Sequence, residues 1–432
     1  MISNLTTAMS GLTGFYVFFW ALLKLTQDPN EPPVVENTIP FLSSIISMVS
    51  KGSEFHNYLR DKYKLPVYTL RLPGSRLYII NDTSLIPVVQ RQVRTLSISP
   101  IMVRVFSHFM GVSKRALGIM GRDPIEDHGF VHQITLETTK GLAPGPNLDD
   151  LNTKAVHILH TSLDKISKSQ GPVTVEMFQW ASLEIMMATT TAVYGARNPF
   201  RNSAVRTAYY KYEAGLITLI TGFLPSVLAR ESLKARDTLT EAFVKYYSEA
   251  GLDEGSSIYS RNRYEYPTKL GVPIRDVAKM EVGGSIGLIS NSMPATFWMI
   301  YHAFSDQIVL EDCRRELAKA VQEKDGLSAR AVVEDHVLGG KYLLKKGSTV
   351  LIPSTVQHSS SSAWGEDVDV FNHKRVILLR FDIKPVNGVW DTAGYKEANA
   401  AFRLPKKDIN VELIPRDGKK WHVFFSEPGK PM

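Results

Sequence analysis

From Val282 to Tyr301 the chain runs for 20 residues without a formal charge, with Pro294 interrupting the run. The stretch lies inside a longer helical pattern, Asp276 to Phe304. An uncharged run of that length either crosses a bilayer or is enclosed by protein. Ser285, Ser290, Asn291, Ser292, Thr296 and three glycines argue for protein, since each polar group would need a partner in lipid. Pro294 removes one backbone hydrogen bond and frees the carbonyl of Ser290. Asn291 and Ser292 therefore stand at a local opening of the helix. Small polar side chains at such a break suit a ligand contact. A proline kink whose freed groups are capped by Ser and Asn accounts for the same pattern.

A buried central helix needs a large body around it. The chain has 432 residues, of which 44% are hydrophobic and 22% charged, so a substantial core can form and wholesale disorder is excluded. The pattern predicts a mainly α body with small β-sheets. Val67–Leu72 and Arg76–Ile80 read as a hairpin turning at Pro73-Gly74, and helices are expected over Leu148–Ser167, Thr174–Tyr194 and Leu233–Ala250. A β-rich stretch runs from Ala331 to Pro353, and Ile409–Phe425 reads as a last hairpin. No internal repeat, low-complexity tract or clean domain boundary after residue 41 is present. Fifty Lys and Arg against 43 Asp and Glu leave a net charge of +7. These charges are scattered, with no basic run interleaved with aromatics, which speaks for an anionic membrane surface and against nucleic acid as a partner.

The N-terminus points the same way. No residue from Met1 to Leu23 is charged, the most apolar part is Gly14–Leu23, and Lys24 follows. Leu5–Leu23 is long enough to span a bilayer as a helix. A cleaved signal peptide would have a basic start and a small-residue cleavage site, which are missing, and a buried helix is the other reading. The expected organisation is a transmembrane anchor over 1–25, a stiff proline-rich connector over 26–41 with Pro29, Pro32, Pro33 and Pro40, and one body over 42–432.

Asn291-Ser292-Met293-Pro294-Ala295-Thr296-Phe297-Trp298 resembles the oxygen-side helix of one branch of the cytochrome P-450 superfamily. That branch holds prostacyclin synthase, the sterol 7α-hydroxylases and related fungal enzymes, with an Asn-Thr-x-Pro pattern there. Other stretches resemble the family in the expected order. They are the anchor with Pro32-Pro33, the hairpin Val67–Asn81, the small sheet from Ala329-Arg330 to Lys346-Gly347-Ser348, and a meander with His358, Trp364-Gly365-Glu366-Asp367 and Phe371-Asn372. The resemblance implies a membrane-anchored haem monooxygenase on the cytosolic face of the endoplasmic reticulum. It would act on a lipophilic small molecule, sterol-like or a secondary metabolite, with electrons from an NADPH-dependent cytochrome reductase. Carried over by resemblance, Asn291 and Ser292 line the oxygen side and Arg330 pairs with a haem propionate.

Two departures stand out. The family's Phe-Gly-Gly-Gly-x-x-x-Cys-Pro-Gly loop is missing: Phe371-Asn372-His373-Lys374-Arg375 passes straight into Val376–Arg380, which looks like the helix end and strand beyond it. A helix with Glu-x-x-Arg is missing before Leu327, where Glu323-Lys324-Asp325-Gly326 runs directly into Leu327-Ser328-Ala329-Arg330. Glu311-Asp312-Cys313-Arg314 matches that spacing, but its setting is that of a charged surface helix one step earlier. Cys313 is the only cysteine in the chain, which excludes an internal disulfide and any cysteine-rich metal site. Flanked by Glu311, Asp312, Arg314 and Arg315, it is expected to be an inert thiol and not an iron ligand. His128 with His132 and His157 with His160 are spaced about one helical turn apart, yet lack an acidic third ligand and read as surface polar residues. The expectation is an inactive member of the family or a defective gene model that skipped exons. The alternative is a haem-free remnant that binds a hydrophobic ligand or a partner at the membrane.

Overall fold

The computed structural model describes residues 2–36, 38–51, 54–72, 75–92, 95–169, 171–222, 224–253, 255–322, 327–331, 335–338, 342–346, 349–353, 375–396 and 404–416. They form two compact units, residues 1–98 and 99–432.

The first unit holds α1 (Ile2–Thr26), α2 (Ser43–Lys51), α3 (Glu54–Tyr63), the antiparallel pair β1 (Val67–Leu72) and β2 (Ser75–Ile80), and α4 (Ile86–Arg91). Val67 faces Ile80 and Leu72 faces Ser75, so the two strands of the expected hairpin pair in antiparallel register. Phe55, Leu59, Tyr68 and Leu70 form its core. The connector does not hang free: Val35 donates to Thr69 O and Thr69 to Pro33 O, so the chain after the prolines runs along β1. α1 covers the expected N-terminal helix, but among the described residues no helix is long and apolar enough to cross a membrane. Ser10, Gly11, Thr13 and Gly14 dilute its apolar run, and the membrane-spanning reading is not carried by the structure.

The second unit opens with α5 (Ser99–His108), α6 (Lys114–Met120), α7 (Phe130–Thr139), α8 (Pro146–Ser167), β3 (Val173–Glu176), α9 (Met177–Tyr194), α10 (Ser203–Ala214), α11 (Leu216–Thr221) and α12 (Pro225–Leu228). It continues with α13 (Arg230–Ser248), α14 (Ile258–Lys269), α15 (Ile274–Ile289), α16 (Ser292–Ser305) and α17 (Gln307–Gln322). Then follow β4 (Leu327–Ala331), β5 (His336–Leu338), β6 (Tyr342–Leu344), β7 (Thr349–Pro353), α18 (Arg375–Arg380), β8 (Phe381–Pro385), β9 (Tyr395–Lys396), β10 (Leu404–Pro405) and β11 (Asn410–Pro415). The architecture is mainly α with small sheets, as expected. β4 pairs with β7, and β5 with β6.

One expectation changes. The helix predicted from Thr174 starts at Met177, because Val173, Thr174 and Val175 pair with β11 as a strand. Asp408 then accepts from Phe178 N at 2.7 Å and Gln179 N at 3.0 Å, satisfying the first turn of α9. Of the expected last hairpin, the first half is strand β11, which lies between β3 and β8, antiparallel to both, with Val411 and Leu413 fully buried. Residues 417–425 lie outside the described ones.

Two cores result. The larger gathers α15, α13, α10 and α9, with Tyr194, Phe200, Tyr209, Phe243, Val282 and Ile289 among its members. The second joins α8, α9, α16 and α17 to α18, β8 and β11 through Leu163, Phe297, Ile300, Leu310, Leu378 and Phe381. A fully buried side chain such as Phe297 contributes about 2–3 kcal/mol here.

Candidate ligand-binding site

The predicted central helix is two helices. α15 ends at Ile289, Ser290 and Asn291 keep right-handed dihedrals, and α16 resumes at Ser292. The helical hydrogen bonding is thus interrupted ahead of the proline while the backbone stays helical. Ser hydroxyls close the break: Ser290 Oγ donates to Ile286 O at 2.7 Å and Ser292 Oγ to Leu288 O at 3.4 Å. Thr296 Oγ1 donates to Ser292 O at 2.8 Å. The capping reading therefore holds for Ser292, whose hydroxyl is turned onto its own helix. Asn291 is different: its side chain is exposed at the break.

The three glycines of α15 do separate jobs. A Cβ at Gly283 would fall 2.5 Å from Met110 Cε, and one at Gly284 would fall 2.2 Å from Arg263 Nη2, so both admit close neighbours. At Gly287 nothing lies within 4 Å. Gly287, Leu288, Asn291, Ser292 and Ala295 are exposed or half-buried at i, i+4 spacing, while Ile286, Ile289, Met293, Thr296 and Phe297 on the other side are buried. One stripe of the central helix is open, with the Asn291 amide as its hydrogen-bonding group.

Helix α10 adds residues that sequence reading missed. Tyr210 Oη donates to Met293 Sδ at 3.7 Å, which sets α10 beside the break. One face of α10 carries Tyr209, fully buried, and Glu213 a turn later. Burial pushes the Tyr209 hydroxyl well up, with the Glu213 carboxylate adding to it. Burial pushes the Glu213 carboxyl itself up to about 7, and lifts Tyr210 to about 12. The i, i+4 spacing of Tyr209 and Glu213 was the available signal, but it resembles any amphipathic helix.

α15 is held from behind by a buried ion pair. Glu281 accepts from Arg263 Nε at 2.7 Å and from Tyr194 Oη at 2.8 Å. Burial pulls the Arg263 guanidinium down, and the Glu281 carboxylate outweighs it to leave a raised value. At the start of α15, Asp276 accepts from Ser113 N at 2.8 Å and Ser113 Oγ at 2.6 Å. These bonds fix where the open stripe stands.

The remaining predicted residues lie elsewhere. Arg330 sits on β4 opposite Val350, and its side chain is outside the described ones. The meander residues and the junction at 323–326 are likewise outside them. Cys313 is half-buried on α17 and packs on the second core. Its neighbour Arg314 donates to Leu378 O at 3.1 Å, Phe381 O at 2.8 Å and Asp382 Oδ1 at 2.7 Å. Arg314 thus clasps the segment after residue 375, while Glu311 accepts from Gln307 Nε2 at 2.9 Å on its own helix. His128 faces Asp123 at 3.4 Å and His160 faces Asp164 at 3.5 Å. Among the described residues no group of three His, Cys, Asp or Glu could hold a metal ion.

No family model matches the chain. It is 30% identical to a cytochrome P450 monooxygenase, nodJ, of Hypoxylon pulicicidum, covering 93% of both chains over an alignment of 490 residues. The chain belongs to the cytochrome P450 monooxygenases. A second relative, a cytochrome P450 monooxygenase of Gibberella zeae, is 27% identical over 93% of this chain and 85% of its own. Among solved structures, retinoic acid-bound cyanobacterial CYP120A1 matches with a TM-score of 0.50 and 13% identity, over 86% of this chain and 96% of that one. That likeness concerns the fold.

The cofactor of this P450 family is haem. On one side, the stripe at Gly287 and Asn291 is exposed, and a Cβ at Gly287 would meet nothing within 4 Å among the described residues, a surface that a haem face could meet. The other side does not fit the group. Haem-thiolate chemistry needs a cysteine sulfur aimed at iron from a dry loop. The sole cysteine instead lies half-buried on α17, packed against the second core.

Proposed function

We propose that this P450 chain keeps the distal, ligand-facing part of a monooxygenase for a lipophilic small molecule, sterol-like or a secondary metabolite, and does not itself carry out haem-thiolate oxygenation. The observation behind this is the sole cysteine, Cys313, engaged in the second core beside the Arg314 clasp. The alignment to the Hypoxylon relative is longer than the 432 residues of this chain, in keeping with internal losses near 326 and 375. Exposed Phe15, Tyr16, Val17, Phe18 and Trp20 on α1 support attachment to a membrane, with the body on the cytosolic face of the endoplasmic reticulum beside an NADPH-dependent reductase. The second reading, a haem-free ligand binder, is favoured by the open stripe: Asn291 can hydrogen-bond a polar group while Leu288 and Ala295 meet an apolar one.

The reduced carbon monoxide difference spectrum of the purified full chain tests this. No thiolate-type Soret band is expected even after reconstitution with haem. A band of that type would overturn the proposal.

A further inference from the structure

Helix α9 is almost free of charge. From Met177 to Tyr194 its one charged residue is Glu184. The Glu184 side chain is half-buried on the side where α9 meets α8, and its Oε1 accepts from Ser162 Oγ at 2.9 Å. Burial raises the Glu184 carboxyl, and Ser162, Lys165 and the nearby Trp180 indole pull against it. That indole is 9% exposed, and its Nε1 has no hydrogen-bond partner among the described residues.

The carboxylate lines a groove of about 430 Å³ between α8 and α9, to which α10 contributes Arg206. A space of that size accepts a small organic molecule. Part of its wall is apolar, with Ile158, Met187 and Leu183, the last with 40% of its surface exposed. The charges in the groove stand apart. Lys165 is near enough to act on the Glu184 carboxylate, yet it is not within ion-pair distance of it. Arg206 Nη1 donates to Phe200 O at 2.8 Å and Arg201 O at 2.9 Å. Those bonds seat the guanidinium, which has no carboxylate within ion-pair distance among the described residues.

We propose that this groove binds a zwitterionic amino acid with an apolar side chain. Its ammonium would meet Glu184, where Ser162 occupies Oε1 and leaves Oε2 as the acceptor. Its carboxylate would go to Arg206 and Lys165, since a guanidinium fork matches a carboxylate, and its side chain to Leu183, Met187 and Ile158. Opposite charges held apart in one groove are complementary to a molecule that carries both. A bare amine would meet two cations without compensation, and a bare acid would meet the Glu184 carboxylate. No residue lining the groove belongs to α15 or α16, so the inference is independent of how the chain stands toward haem.

Calorimetric titration of the purified full chain with L-phenylalanine and L-leucine tests this, with phenethylamine and 3-phenylpropionate as the two halves of the first. The amino acids should bind, and each half should bind at least about tenfold more weakly than phenylalanine. Glu184→Gln keeps an acceptor for Ser162 and should weaken amino-acid binding about tenfold or more. Lys165→Glu alters an exposed side chain, should melt with the parent, and should weaken binding about threefold or more, which keeps the test intact if Glu184→Gln fails to fold. The inference is overturned if neither amino acid binds, or if either half binds as tightly as phenylalanine. Amino-acid binding that Lys165→Glu and a folded Glu184→Gln leave unchanged would overturn it as well.

Discussion

Glu281→Gln is the sharpest probe of what holds the open stripe in place. The Glu281 side chain is 1% exposed and Arg263 is 13% exposed, so neither has water to fall back on. Glutamine keeps the shape and can still accept from Tyr194, but it leaves the Arg263 guanidinium buried without its counter-charge. Breaking one half of a buried pair costs about 3–5 kcal/mol, a large share of the roughly 5–15 kcal/mol by which domains are stable. The pair itself contributes little net, since desolvation offsets most of its attraction. Replacing both partners, Glu281→Leu with Arg263→Met, should therefore recover most of the loss. Gly284→Ala should act through the same group, because its new Cβ would sit 2.2 Å from Arg263 Nη2, and its cost should shrink in the Arg263→Met background. Urea unfolding followed by circular dichroism measures all four variants. A Glu281→Gln loss below about 1 kcal/mol, or a double variant less stable than the single one, would refute the reasoning.

Three further predictions follow from the same structure. Glu213, raised from 4.5 to about 7 by burial, holds its proton longer when folded than when unfolded. Its neutral form therefore supports the fold below about pH 4.5, and that support is lost as pH rises to 7, by up to roughly 3 kcal/mol. Thermal melts from pH 5 to 8 should show a slope that Glu213→Gln flattens, and an unchanged slope would remove Glu213 from the account. Arg314→Ala deletes three bonds to the segment after residue 375 and should cost about 2–4 kcal/mol, with faster amide exchange in β8. Exchange in β8 equal to that of the parent would show the clasp to be idle. Cys313→Ser should leave haem retention, if any is measured, unchanged, because the thiol serves packing and not ligation.

Much of the fold was legible because it rests on local rules. The hairpin at 67–80 shows as alternating β-formers around a turn, and α8 and α13 show as helical periodicity. The errors have physical causes. Val173–Val175 join a strand because β11, more than 230 residues later, offers an edge, and no local pattern records that partner. Asn410–Pro415 reads locally as one arm of a hairpin, and its place as the middle strand of three is set by tertiary pairing that the local pattern does not record. The proline break was correctly located at Asn291-Ser292, but the fate of each side chain depends on which face of the helix is covered. Ser292 bonds back to Leu288, and only Asn291 faces outward.

The site shows the same division. A helix break with Asn, Ser and Pro can be read from the chain, whereas Tyr209, Tyr210 and Glu213 enter only because α10 lies across Met293. Spacing misleads in the opposite direction at Glu311–Arg314, which has the separation of a buried charge lock. What Arg314 grips is the backbone of Leu378 and Phe381 and the carboxylate of Asp382, residues that follow the junction at 375. Arg380, in the same short helix, bonds Asp164 and Ser167 on α8. Two arginines thus anchor the segment beyond the junction to α17 and α8, and Ile377, Leu378 and Phe381 fill the second core.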